Sequence, residues 1–117
     1  MATIKEIYDN IRVLKTEVSA IEPLLEIKKN KKIKLEKDKK EKYAEIEVYM
    51  NEIENSGTEP TTQTIAKVKN GLKDLEKIDN DFILADIDFN PTYANCENKK
   101  EQILLLKESM KKLIIAK

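Results

Sequence analysis

The stretch that decides the fold is residues 4–25, IKEIYDNIRVLKTEVSAIEPLL. Its apolar residues recur at alternating spacings of three and four, which is the a/d pattern of a heptad repeat and predicts a helix with a narrow apolar seam. Thr3 followed by Glu6 has the pattern of a capping box, so we expect the helix to begin there. The seam residues of this run are Ile4, Ile7, Ile11, Leu14, Val18, Ile21 and Leu25.

The same heptad frame continues beyond residue 25 and predicts a first helix over residues 3–54. Ile46 and Tyr49 return to seam positions, whereas lysines occupy the seam before them. Pro23 falls on the outer face, where a proline removes one backbone hydrogen bond and can interrupt the helix. If the helix breaks at Pro23, we expect a short three- or four-helix bundle instead.

Two further helices are predicted, each after a break with turn-forming residues. The segment NSGTEP at residues 55–60 predicts a turn, followed by a helix over residues 60–84 with Ile65 and Val68 on its seam. The pair Asn90-Pro91 predicts a second break, because asparagine caps helices and proline favours their first position. A third helix is expected over residues 91–116, with seam residues Ile103, Leu106, Met110 and Leu113.

These helices can be paired by register. In an antiparallel pair, facing seam positions have residue numbers with a constant sum. For the first and third helices a sum of 117 gives four apolar layers, and for the first and second helices the sum is 114. The pairs are Ile4 with Leu113, Ile7 with Met110, Ile11 with Leu106, Leu14 with Ile103, Ile46 with Val68, and Tyr49 with Ile65. We therefore predict an all-α, long antiparallel heptad-patterned helical hairpin in a single domain, residues 1–117.

The charges are segregated along the chain. Residues 28–42 hold nine lysines and three acids, and residues 74–98 hold seven acids and one lysine. The hairpin places the basic stretch opposite part of the acidic one, and such charges select orientation more than they add stability. The basic stretch lacks arginine and stacking aromatics, which disfavours nucleic-acid recognition. Its candidate contact residues are Lys28, Lys29, Lys32, Lys39 and Lys42.

Composition excludes several kinds of active site. The chain has no histidine, one cysteine and two glycines. Nucleophilic catalysis by a Ser–His or Cys–His pair, a zinc site and a glycine-rich phosphate loop all require residues that are missing. We therefore expect a protein that is not an enzyme, with no catalytic, cofactor-binding or metal-binding residues and no small-molecule substrate.

One acidic fragment resembles an EF-hand. Asp86, Asp88, Asn90 and Glu97 supply oxygen ligands at positions 1, 3, 5 and 12 of a calcium loop. The sixth position of that loop needs a glycine with positive φ, and here it is Pro91, whose ring holds φ near −65°. We therefore expect an acidic linker rather than a calcium site.

The expected location is cytoplasmic. A single cysteine excludes an internal disulfide, and the N-terminal residues lack the apolar stretch of a signal peptide. No run approaches the roughly 18 apolar residues of a membrane span, so we expect no membrane contact.

Apolar residues beside the seam indicate a second interface. We favour a non-catalytic protein–protein interaction or assembly protein that acts through a helical hairpin or coiled coil, with itself as a homo-oligomer or with another protein. One alternative, by analogy of composition, is a small phage or mobile-element protein that inhibits a host defence or regulatory protein. Another is a nucleic-acid-associated protein that uses the basic stretch from Lys28 to Lys42. The candidate partner surface comprises Tyr8, Leu24, Ile27, Ile33, Leu104, Leu105 and Ile115.

Overall fold

The computed structural model describes residues 2–116, which form two helices joined by a short turn. Helix α1 spans Ile4–Asn55 and helix α2 spans Thr62–Ala116. The helices are antiparallel, because Glu17 of α1 pairs with Lys99 of α2 at 2.5 Å, whereas Lys42, later in α1, pairs with Asp74, earlier in α2, at 3.5 Å. The predicted fold class, an all-α antiparallel helical hairpin, is confirmed.

Threonine side chains cap both helices at their N-termini. The Glu6 backbone N–H donates to Thr3 Oγ1 at 3.1 Å, as the sequence pattern predicts. At the start of α2, the Thr64 N–H donates to Thr61 Oγ1 at 3.2 Å. Each of these bonds satisfies a backbone donor that has no partner within its helix, and a cap of this kind stabilises a helix by about 1 kcal/mol.

The turn between the helices depends on Gly57. This residue has a φ of 69°, a left-handed conformation that side chains with a Cβ rarely adopt. The Ser56 hydroxyl donates to the Ile53 carbonyl at 3.1 Å, and so satisfies one acceptor at the end of α1. The turn therefore ends α1 through local chemistry that the sequence displays.

Pro23 lies inside α1 without ending it. It is exposed at heptad position f, so its ring disturbs only the solvent-facing side of the helix. Ile21 and Leu25, on either side of it, both pack against the same apolar core. The alternative bundle with a break at Pro23 is therefore not the observed structure.

The predicted separation into helices 60–84 and 91–116 is wrong, because α2 continues through Pro91. Seam positions continue at alternating spacings of three and four residues on both sides of the proline. Because these residues pack against α1, this stretch stays helical. Tertiary packing often overrides a local preference of this kind. The seam positions that bridge the region are buried or half-buried, and they are Ile78, Phe82, Ala85, Phe89, Thr92 and Cys96.

Side chains also support the turn of α2 that Pro91 weakens. Proline has no N–H to donate to the Ile87 carbonyl and crowds that carbonyl. The neighbouring Asp88 carbonyl accepts hydrogen bonds from the Thr92 hydroxyl at 3.3 Å and from the Lys28 ammonium at 3.4 Å. Both donors stabilise the backbone where the helical hydrogen-bond pattern is incomplete.

The chain divides into two compact units. Unit 1 comprises Met1–Lys29 with Asp88–Lys117, and unit 2 comprises Asn30–Ile87. In unit 1, the apolar seam residues form one core whose facing positions fit the sum of 117. Ile7, Ile11, Val18, Cys96 and Ile103 are buried, and Leu14, Ile21, Leu25, Leu106, Met110 and Leu113 pack against them.

Unit 2 follows the sum of 117 as well, which corrects the predicted 114. Ile46 is buried and lies against Gly71, where an added Cβ would come within 2.9 Å of Ile46 Cγ1. The predicted partner of Ile46 was Val68, three residues away. Ile65, predicted on the seam, is 51% exposed, because Thr64 occupies the seam position beside it.

Candidate interaction surface

Lysines form part of the seam in unit 2. The side chains of Lys32, Lys39 and Lys42 are only 22–38% exposed, although seam positions are normally apolar. Each ammonium group has an aspartate of α2 beside it, so no seam lysine of this unit lies next to apolar residues alone. The ion pairs are Lys32 with Asp86 at 2.5 Å, Lys39 with Asp79 at 2.7 Å, and Lys42 with Asp74 at 3.5 Å.

Hydrogen bonds to carboxylates hold two of these lysines in the charged form. The bond to Asp79 raises the pKa of Lys39 above its ordinary value of 10.5. The bond to Glu45 raises the pKa of Lys42, and Asp74 adds to the effect. In both cases partial burial opposes the rise but does not cancel it. Both side chains are therefore cations over the whole physiological pH range.

Unit 1 contains two further seam lysines, Lys28 and Lys99, and Lys99 pairs with Glu17 of α1. Lys28 Nζ pairs with Asp88 at 3.2 Å and donates a hydrogen bond to Thr92 Oγ1 at 2.9 Å. Lys29, the next residue, is exposed. Of the five candidate basic contact residues, four are therefore engaged with α2 and one faces solvent.

These ion pairs weaken the case for nucleic-acid binding. A phosphate that bound Lys28, Lys32, Lys39 or Lys42 would have to displace an aspartate within the same chain. Unit 2 as a whole carries 11 lysines and 13 acids. Affinity for nucleic acid comes largely from unneutralised positive charge, and this unit has no excess of it.

The predicted partner residues are exposed, but they do not form one strip. All seven are between 51% and 84% exposed. Heptad positions e and b lie on one side of the seam, which we call the e/b face. Positions g and c lie on the other side, which we call the g/c face. In unit 1, Leu24, Ile27 and Leu105 share the g/c face, whereas Tyr8 and Leu104 lie on the e/b face. Ile33 lies on the e/b face of unit 2, and Ile115 is on the outer side of α2.

Unit 2 has an apolar e/b face that the sequence prediction missed. The frame of α2 observed here assigns Leu72 and Ile83 to the same face as Tyr43 of α1, and all three are at least half exposed. The sequence signal that could have revealed this face is the uninterrupted three-and-four spacing of seam positions from Thr64 to Leu113. If this frame is continued through Pro91, it places Ile65 and Leu72 beside the seam.

The recesses on the surface are open grooves. One, of about 190 Å³, lies on the e/b face of unit 1. Charged side chains line much of it, including Glu22, Glu97 and Lys100. Another, of about 420 Å³, is lined by residues 9–17 of α1 alone. Neither groove encloses a volume that would bury a small ligand on all sides.

The acidic fragment is helical, in contrast to the linker predicted from its sequence. Asp86 and Asp88 lie within α2, where they pair with Lys32 and Lys28. Between residues 2 and 116, no three histidine, cysteine, aspartate or glutamate side chains are grouped so that they could hold a metal ion.

No helix in the described part of the chain is both long and apolar enough to cross a membrane. The chain matches no protein-family model, no curated protein and no solved structure.

Proposed function

We propose that this chain is a non-catalytic protein–protein interaction protein that binds through the lateral faces of its helical hairpin. The observation that carries this proposal is the distribution of apolar side chains. Within residues 2–116, 18 large hydrophobic side chains are exposed and eight hydrophobic residues are buried. Exposed apolar side chains grouped on one face are typical of protein interaction sites.

The form of the surface supports a macromolecular partner. Apolar residues on the lateral faces recur at helical spacing, which is how a helix or a helical groove is recognised. The open grooves have no deep, enclosed part in which a small substrate would be desolvated. The partner would therefore cover a long strip of exposed side chains.

The test is affinity capture with the full chain as bait in a lysate of its source cells, followed by quantitative mass spectrometry. Three variants define the binding face: Leu24→Gln with Ile27→Gln, Tyr43→Gln with Leu72→Gln, and, as the control, Lys37→Gln with Glu41→Gln. The control removes an exposed charge pair within α1 and leaves every apolar face intact.

We expect at least one protein, another copy of the chain included, to be enriched by the unaltered bait and by the control. One of the two apolar variants should reduce that enrichment about tenfold. If nothing is enriched over beads alone, the proposal is wrong. The identity of a captured protein also separates assembly from inhibition of a host defence or regulatory protein.

A further inference from the structure

The two lateral faces of unit 1 differ in charge. Residues 5–29 of α1 and residues 88–116 of α2 together give each face sixteen heptad positions. Ten of those on the e/b face are charged, seven basic and three acidic, whereas only four on the g/c face are charged. We call the g/c face of unit 1 the neutral face. Its apolar side chains are Val13, Ala20, Leu24, Ile27, Leu105 and Ala116.

Two of the four charged residues on the neutral face are paired within the unit. Glu17 pairs with Lys99 at 2.5 Å, and Asp88 pairs with Lys28 at 3.2 Å. Most other polar positions of this face carry uncharged side chains, among them Asn95, Asn98 and Gln102. A partner would need no complementary charge in order to cover it.

The apolar residues of this face have the spacing of a helix-packing stripe. Along α1, Val13, Ala20, Leu24 and Ile27 are separated by seven, four and three residues. This is a second heptad stripe on the same helix, beside the one that packs against α2. Leu24 and Ile27 are 52% and 66% exposed, so α2 leaves much of each side chain in water.

The surface area of the chain leaves room for a large interface. The chain exposes 8971 Å². A compact monomer of 13.5 kDa exposes about 6,500 Å². The excess, about 2,400 Å², is several times the roughly 800 Å² per partner that a specific interface of standard size buries.

We propose that the neutral face of unit 1 binds a second copy of this chain in a twofold-symmetric dimer, an inference that rests on the proposed function. Twofold symmetry places the same surface of each copy against the other, so the surface must tolerate itself. The e/b face would set an excess of four positive charges against the same excess, which repels. The neutral face has an excess of only two negative charges, from three acids and one lysine, and two of those acids are paired within each copy, so it meets its own copy with much less repulsion and buries Leu24 and Ile27.

The experiment measures self-association of the full chain by sedimentation velocity from micromolar to millimolar concentration. Leu24→Gln with Ile27→Gln alters the neutral face. Leu104→Gln with Ile114→Gln alters two residues of similar exposure on the e/b face of the same unit. Circular dichroism and thermal melting verify that both variants keep the fold. We expect a dimer whose dissociation constant rises at least about tenfold in the first variant and is unchanged in the second.

A chain that stays monomeric at every concentration would overturn the dimer. So would an equal or larger loss in the e/b variant. A monomer that still captures another protein refutes the second copy but leaves the proposed function standing. If Leu24→Gln with Ile27→Gln abolishes that capture, the neutral face binds a different protein and the dimer is again refuted. Failure of both capture and self-association refutes both proposals.

Discussion

The two units share one heptad frame but fill its seam with different chemistry. In unit 1, the seam holds a cluster of buried apolar residues, among them Ile11 and Ile103. In unit 2, Lys32, Lys39 and Lys42 occupy a run of the same positions and pair with aspartates. Burial of apolar side chains stabilises a fold by about 1.5–3 kcal/mol for each large residue, whereas a half-exposed ion pair contributes about 0–1 kcal/mol. Unit 1 is therefore the main source of stability.

The lysines of unit 2 instead disfavour a shift of register in one direction. If α2 slid by one heptad in one direction, Lys42 would face Lys67 rather than Asp74, and Lys39 would face Leu72 rather than Asp79. These two lysines would lose their partners while remaining partly buried, which is costly, whereas Lys32 would face Asp79 in place of Asp86. A purely apolar seam would tolerate such a slip more readily. We therefore expect substitutions in the seam of unit 1 to change the free energy of unfolding more than substitutions in unit 2.

The largest effect is expected in the apolar seam. Ile11→Ala removes a side chain that is 6% exposed in the core of unit 1. The lost burial and the cavity should lower the free energy of unfolding by about 2–5 kcal/mol. Urea denaturation followed by circular dichroism measures it. Ile87→Ala, at a site that is 63% exposed on the outer side of α2, is the control and should cost less than about 0.5 kcal/mol. Equal losses in the two variants would contradict the assignment of the core.

A smaller effect is expected where the helices approach most closely in unit 2. Gly71→Ala would normally stabilise a helix by about 1 kcal/mol, but here the new Cβ meets Ile46 Cγ1 at 2.9 Å. Overpacking costs about 1–3 kcal/mol, so we expect a net loss of about 1 kcal/mol in urea denaturation. In an Ile46→Ala background the same change should become stabilising, because the methyl group enters the space left by isoleucine. No change of sign between the two backgrounds would argue against the register of 117.

A seam lysine should be replaceable by leucine. Lys32→Leu puts an apolar side chain at a position that is 23% exposed, and it leaves Asp86 accessible to water. We expect the free energy of unfolding to rise by about 1 kcal/mol, because apolar burial exceeds the small contribution of the ion pair. Lys37→Leu, on the exposed side of α1, is the matched control and should have little effect. A clear destabilisation by Lys32→Leu would mean that the ion pair itself stabilises unit 2.

The smallest effect concerns alkaline pH. The folded chain holds the protons of Lys39 and Lys42 more tightly than the unfolded chain does, since their pKa values are raised above 10.5. Their contribution to stability is complete below the unfolded value and is lost as pH rises through the folded one. Thermal melts between about pH 9 and 12 should therefore fall less steeply for Lys39→Met with Lys42→Met than for the unaltered chain. Parallel curves would show that these hydrogen bonds do not stabilise the fold.

The fold class could be predicted from residues 4–25 because seven apolar residues there fit one frame without exception. The break at Pro91 was wrong for a physical reason. The local cost of a proline is a few kcal/mol, and the seam on both sides of it, from Phe89 to Cys96, offsets that cost by packing against α1. No local pattern at Asn90-Pro91 reports this distant contact.

The error in unit 2 shows the limit of hydrophobicity as a guide to register. Ile65 and Leu72 are more apolar than their neighbours Thr64 and Gly71, yet Thr64 and Gly71 occupy the seam. Composition alone therefore favoured a frame in which these two seam positions are moved by one residue, from Thr64 to Ile65 and from Gly71 to Leu72. The close approach of Ile46, for which a glycine leaves room, and the ion pairs of Lys39 and Lys42 identify the observed frame. The same shift explains why the lateral faces could be assigned only with the structure.

Cys96 gives the chain its own reporter of opening. It is the single thiol in the sequence, and its side chain is completely buried in unit 1. A thiol reagent can reach the sulfur only in molecules whose helices have separated there, so the labelling rate at low reagent concentration is proportional to the fraction of molecules that are open at that point. The measurement needs no engineered probe, and it follows unit 1 alone within the intact hairpin.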